Sequence, residues 1–155
     1  MDVNNRILAE INELKRKYDN ERSCLLPALY LFQRECGWLS PDELEMVGEL
    51  LNVPKATVKS TSTFYAMFRH QPMGRHLIQL CTNVACMIMG GERLVDVLKG
   101  KYGLEPNLTS PDNRFSLVIM ECIGACDRAP AMLVDTSFYG NLTEESIIEI
   151  LEKYN

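Results

Sequence analysis

Four of the six cysteines fall into two close pairs, and this arrangement constrains the fold of the 155-residue chain more than any other feature. Cys81 and Cys86 stand as C-x4-C in CTNVAC, and Cys122 and Cys126 as C-x3-C in CIGAC. Each pair closes a stretch that reads as a β-strand, RHLIQLC from Arg75 to Cys81 and RFSLVIMEC from Arg114 to Cys122. A fold that sets those two strand ends side by side brings four thiols to one place. Four thiolates suit a [2Fe–2S] cluster, with two sulfurs on each iron. They also suit a tetrahedral zinc ion. The 35 residues between Cys86 and Cys122 hold a helix and a strand, more than a compact zinc ribbon contains, so the spacing leans mildly toward iron. A plant-type ferredoxin would continue C-x2-C, and a Rieske centre would place two histidines beside the pairs; the sequence has neither. A thioredoxin-type dithiol would show C-x-x-C, which is also absent.

The first seventy or so residues read as a small helical unit. Val3, Ile7, Leu8, Ile11 and Leu14 recur at helical steps. A second helix is expected from Cys24 to Glu35, with Pro27 in its first turn and Gly37 as its stop. Ser40, Pro41 and Glu43 spell a capping box with proline at the first helical position. That helix carries Leu44, Val47, Leu50 and Leu51, and a fourth starts near Pro54 and runs toward Tyr65. The texture changes at Pro72-Met73-Gly74. After the first strand, the stretch from Ala85 to Gly103 reads as one helix. After the second, Ala131–Asp135 and Phe138–Leu142 read as short strands, and Thr143 caps a last helix with Ile147, Ile148 and Leu151 on its apolar face. The fold class is therefore α+β: a helical bundle over residues 1–72, then a small mixed sheet with packed helices over 73–155.

Other features narrow the function by exclusion. The formal net charge of -5 disfavours a nucleic-acid binder, which needs a basic surface to release counterions. DELEMVGELLNVPKATVKS has a helix-turn-helix look, but its second helix offers only Lys55 and Lys59. The longest apolar run, Cys24 to Phe32, is too short to span a bilayer, and the opening residues Met-Asp-Val-Asn-Asn-Arg carry no export pattern. A reducing compartment is then expected, where clustered cysteines bind metal more often than they form disulfides. No G-x-G-x-x-G follows a strand and no P-loop lysine is present, so dinucleotide chemistry is left to a partner. His70 and His76 are expected at solvent or an interface. Phe64, Tyr65, Met67 and Phe68 are expected as core joining the two domains, or as a partner contact. Met87 and Met89 are expected to shield the metal site, and Gly124 to let backbone N–H groups reach sulfur. Pro130 precedes a strand beside the second loop, a place where a cis bond can occur.

TFYAMF, QPMGRHLIQLCTNVAC and CIGACDRAPAMLVD followed by FYGNLTEESI resemble the small thioredoxin-like iron–sulfur subunit of bacterial NADH:quinone oxidoreductase, respiratory complex I. The likeness runs over essentially the whole chain. It implies a thioredoxin-like domain behind the helical bundle and a [2Fe–2S] cluster held by Cys81, Cys86, Cys122 and Cys126. Cys24 and Cys36 fall outside the ligand pattern. The resemblance further implies a neighbouring flavoprotein that carries FMN and a [4Fe–4S] cluster and oxidises NADH. It implies a place in a larger complex, peripheral on the cytoplasmic face of the inner membrane, without direct membrane insertion. Small subunits of NAD-linked hydrogenases and formate dehydrogenases share the cysteine pattern. A zinc-binding scaffold without redox chemistry is the rival reading from another class.

Overall fold

The computed structural model describes residues Val3 to Tyr154, with side chains from Arg6 onward. The opening Met-Asp, part of the segment searched for an export pattern, and the place of the Val3 side chain on the first helix face lie outside the described residues. The chain falls into two compact units, one ending at Pro72 and the other starting at Met73.

The first unit is helical. It comprises α1 (Val3–Lys17), a 3-10 turn (Glu21–Cys24), α2 (Leu25–Cys36), α3 (Pro41–Leu51) and α4 (Lys55–Phe64). Ile7 and Ile11 of α1, Leu25, Ala28, Leu29 and Phe32 of α2, Leu44, Val47 and Leu51 of α3, and Val58 of α4 form one buried cluster. Their three- and four-residue spacing gives each helix a single apolar stripe to bury. Ser40 accepts N–H bonds from Asp42 and Glu43 while the Glu43 carboxylate accepts from the Ser40 N–H, so the expected capping box forms. Replacing such a cap by alanine costs about 1 kcal/mol. Gly37 closes α2 at φ +84 and Asn52 closes α3 at φ +50, positive values that a β-carbon disfavours. Gln33 is buried and ties down the turn and coil after α4. Its Nε2 donates to the Met67 carbonyl at 3.0 Å, and its Oε1 accepts from the Arg69 N–H at 2.7 Å. Only Phe68 of the aromatic stretch joins this core. Phe64, Tyr65 and Met67 are exposed, Phe64 to 79%, and lie outside the core of this unit. Phe64 is the last residue of α4 and the others follow it, where the helical stripe no longer directs them inward.

The second unit holds a four-stranded sheet in the order β2-β1-β3-β4. Strand β1 (His76–Cys81) pairs in parallel with β2 (Phe115–Met120), with Cys81 opposite Met120. Strand β3 (Met132–Val134) runs antiparallel to β1, and β4 (Ser137–Tyr139) antiparallel to β3. The parallel pair requires a crossover, supplied here by helices α5 (Val84–Ile88) and α6 (Gly91–Tyr102). The final helix is α7 (Glu144–Leu151), capped by Thr143 and Ser146 acting on each other's backbone. Ile78 and Leu80 of β1, Phe115 and Leu117 of β2, Met132 and Val134 of β3, Leu94 and Leu98 of α6, and Ile147 and Leu151 of α7 form the core.

The sequence reading of one helix from Ala85 to Gly103 is corrected. The chain breaks at Gly90, which adopts φ +95, and α5 and α6 are separate. Apolar residues continue through the break at helical spacing, which hides it from periodicity; only a glycine pair marks the turn. Ala129–Pro130 is cis.

Candidate metal centre

Both cysteine pairs sit where the two parallel strands end. Cys81 is the last residue of β1, and Cys122 follows β2 by two residues. Because β1 and β2 are in parallel register up to Cys81 and Met120, both loops leave the sheet from the same end. Binding sites of open parallel sheets gather at this carboxyl end.

The first loop turns immediately into α5, whose N-cap Asn83 accepts a bond from the Val84 N–H. Cys86 lies on the inner side of α5. Cys81 and Cys86 are each 3% exposed and pack with Ala129, against Ala85 and Ile123. The two side chains pack together in this small cluster. Burial pushes the Cys86 thiol above its ordinary range, the neighbouring Cys81 adds to this, and the Ala131 backbone opposes it. Cys126 is near enough for its charge to act on Cys86. The Cys81 thiol donates to the Glu121 carbonyl at 3.9 Å, which ties the first pair to the segment that enters the second loop.

The second loop is more open. Cys122 and Cys126 are exposed. Gly124 adopts φ +75 and its N–H donates to Cys122 Sγ at 3.3 Å, the backbone-to-sulfur contact expected of this glycine. Cys126 begins a 3-10 turn (Cys126–Arg128) held to the strand hairpin, since the Asn141 N–H bonds the Arg128 carbonyl at 2.7 Å.

Among the described residues, no group of three or more His, Cys, Asp or Glu side chains converges tightly enough to hold an ion as the thiols stand. Cys81 and Cys86 are packed together, while Cys122 turns its sulfur to Gly124. The donor set nevertheless fits an iron–sulfur cluster: four free thiols on two loops from one sheet end, with the Gly124 N–H on the Cys122 sulfur. Such N–H bonds stabilise negative charge on sulfur and tune its potential.

The remaining candidates lie elsewhere. His76 Nδ1 pairs with Asp135 Oδ2 at 2.8 Å, at the far end of β1 from Cys81, and His70 Nε2 meets the Ser62 carbonyl at 3.1 Å. Cys24 is buried, as a small apolar side chain would be, and Cys36 is exposed at the end of α2. Met87 and Met89 are exposed. Together with Val84 and Ile88 they form an exposed apolar surface on α5 and its C-cap, and the residues packed on Cys81 and Cys86 are Ala85, Ala129 and Ile123. That face was missed in the sequence, because the break at Gly90 sets which sides of α5 point outward.

Thiols drawn from two loops at the ends of adjacent strands, with one amide turned on sulfur, fit the class of iron–sulfur electron carriers on a thioredoxin-like sheet. The chain matches the thioredoxin-like [2Fe-2S] ferredoxin family over residues 11–155 and belongs to it. Its cofactor is accordingly a [2Fe–2S] cluster. It is 39% identical to an NADH-quinone oxidoreductase subunit of Rhizobium meliloti, over 94% of this chain and 86% of that one. It is 34% identical to an NADH-quinone oxidoreductase subunit of Escherichia coli, over 88% of this chain and 82% of that one. Among solved structures, an air-oxidized NAD+-reducing [NiFe]-hydrogenase shares the fold at a TM-score of 0.72 and 24% identity, covering 84% of this chain and 22% of that chain. No helix among the described residues is long and apolar enough to cross a membrane.

Proposed function

We propose that this chain is the small electron-transfer subunit of an NADH:quinone oxidoreductase, with Cys81, Cys86, Cys122 and Cys126 as the four ligands of its [2Fe–2S] cluster. The observation that carries the ligand assignment is the parallel register of β1 and β2, which sends both cysteine loops off the same end of the sheet. The cluster supplies one-electron chemistry when bound. The chain's own contribution is positional and electrostatic. Cys81 and Cys86 provide a dry side, and the Gly124 N–H faces the Cys122 sulfur.

The chain has no dinucleotide-binding turn of its own, so NADH oxidation belongs to a partner, read here as an FMN-containing flavoprotein with a [4Fe–4S] cluster. The names of the relatives support complex I as the host. The exposed face of Val84, Met87, Ile88 and Met89 beside Cys86 supports contact with a neighbouring protein of the complex, since contiguous exposed apolar residues mark interaction sites. The complex would hold this chain at the cytoplasmic face of the membrane, with no segment of its own inserted. A fold shared with a NAD+-reducing hydrogenase favours, as a second reading, the equivalent small subunit of such an enzyme.

Anaerobic purification tests the assignment. The wild-type chain should be red-brown, with an iron-to-sulfide ratio of about one and a paramagnetic signal on reduction. Cys122→Ala and Cys126→Ala should lose that visible spectrum, while Cys24→Ser and Cys36→Ser should keep it. A colourless protein with stoichiometric zinc would establish the scaffold reading instead. Co-purification from native cells, with the large subunits identified, tests the host.

A further inference from the structure

The first cysteine loop closes onto a glycine. Gly91 is the first residue of α6 and is buried. A Cβ placed on it would lie 2.9 Å from the Cys86 carbonyl oxygen, 3.1 Å from the Cys86 carbonyl carbon and 3.2 Å from the Cys81 carbonyl oxygen. All three are backbone atoms, which cannot swing aside as the end of a long side chain does. Gly91 does not need glycine for its backbone angles, because the positive φ of this turn belongs to Gly90. What Gly91 supplies is the absence of a methyl group at a point that touches both cysteines of the pair. Gly100 lies in the same helix with nothing within 4 Å of its own Cβ position.

The two neighbours of Gly91 differ in how far they can yield. Cys81 ends a strand paired on both sides, and its N–H bonds the Ala131 carbonyl at 3.1 Å. Cys86 sits in a helix of five residues whose outer face is exposed. A displacement forced at Gly91 therefore goes into α5 and carries the Cys86 sulfur away from Cys81.

We infer that Gly91 is a positioning residue for the cluster, whose missing side chain sets the spacing between the Cys81 and Cys86 backbones and so the reach of their sulfurs. The inference rests on the proposed assignment of those two cysteines as ligands. Partners that orient metal ligands commonly alter affinity by one to two orders of magnitude without touching the metal.

The test compares full-length wild type, Gly91→Ala and Gly100→Ala, each loaded anaerobically. Three quantities are read: the g values of the reduced cluster, its midpoint potential, and the rate at which a chelator bleaches the visible band. Gly91→Ala should change the g values and potential and bleach about ten-fold faster, while Gly100→Ala matches wild type. Unchanged g values and bleaching in Gly91→Ala overturn the inference. Far-ultraviolet circular dichroism of the cluster-free chains separates positioning from folding. A cluster-free Gly91→Ala chain that has lost its secondary structure overturns the inference too, because the contact then holds the unit and not the ligands. Cys81→Ser and Cys86→Ser are measured in parallel. If both keep the wild-type spectrum, the ligand assignment itself has failed, whatever Gly91→Ala does, and the inference falls with it.

Discussion

At the scale of single residues, burial separates the two cysteine pairs. Cys81 ends the central strand of its sheet, flanked by β2 and β3, and Cys86 turns inward from α5. Cys122 and Cys126 follow the edge strand β2 and remain exposed. Thiol reactivity follows access and thiolate character, and burial raises the Cys86 thiol, which lowers its thiolate fraction. In the reduced, cluster-free chain, iodoacetamide should therefore label Cys36, Cys122 and Cys126 well before Cys24, Cys81 and Cys86. Peptide mass spectrometry over a time course measures this, and equal rates at all six positions would contradict the burial described here. The four paired positions were legible in the sequence because C-x4-C and C-x3-C each close a strand. Their unequal exposure was not, because it depends on strand order, and no residue within either loop records which strand lies at the edge.

At the scale of elements, local chemistry was readable wherever a side chain acts on its own backbone. Ser40 with Glu43 and Thr143 at the start of α7 are such cases, and both caps form. The division between α5 and α6 was not readable, since Val84 to Tyr102 keeps a helical texture across Gly90. The turn before β2 offers a second local device. Asp112 accepts from the Ser110 hydroxyl and from the Arg114 N–H, and these bonds, the Ser110 one foremost, hold its carboxyl below the usual range. A carboxyl lowered in the folded state adds stability that is present above its unfolded value and is lost as pH falls through the folded one. Asp112→Asn should thus destabilise the cluster-free chain near neutrality and show a smaller further loss on acidification below about pH 4. Urea unfolding across that range, in wild type and variant, checks the sign; an equal acid loss in both would remove Asp112 from the account.

At the scale of the whole molecule, each unit carries its own apolar cluster, one from Ile7 to Phe68 and the other from Ile78 to Leu151. A unit with its own core has the means to fold alone. Residues 73–155 expressed by themselves should take up the cluster with the g values of the full chain; failure to load under conditions where the full chain loads would show that the helical unit is needed for the site. The α+β order was legible because the apolar period changes from helical steps to strand-like runs near Pro72. The outward turn of Phe64, Tyr65 and Met67 was not, because aromatic composition alone does not distinguish a core from a surface awaiting a neighbour. The contrast between a sealed pair and an open pair of thiols also bears on how the protein is furnished and maintained. If these four are the ligands, as proposed, a donor of iron and sulfide arriving from solution meets the exposed Cys122 and Cys126 before the buried Cys81 and Cys86. An oxidant from solution meets the same two thiols first.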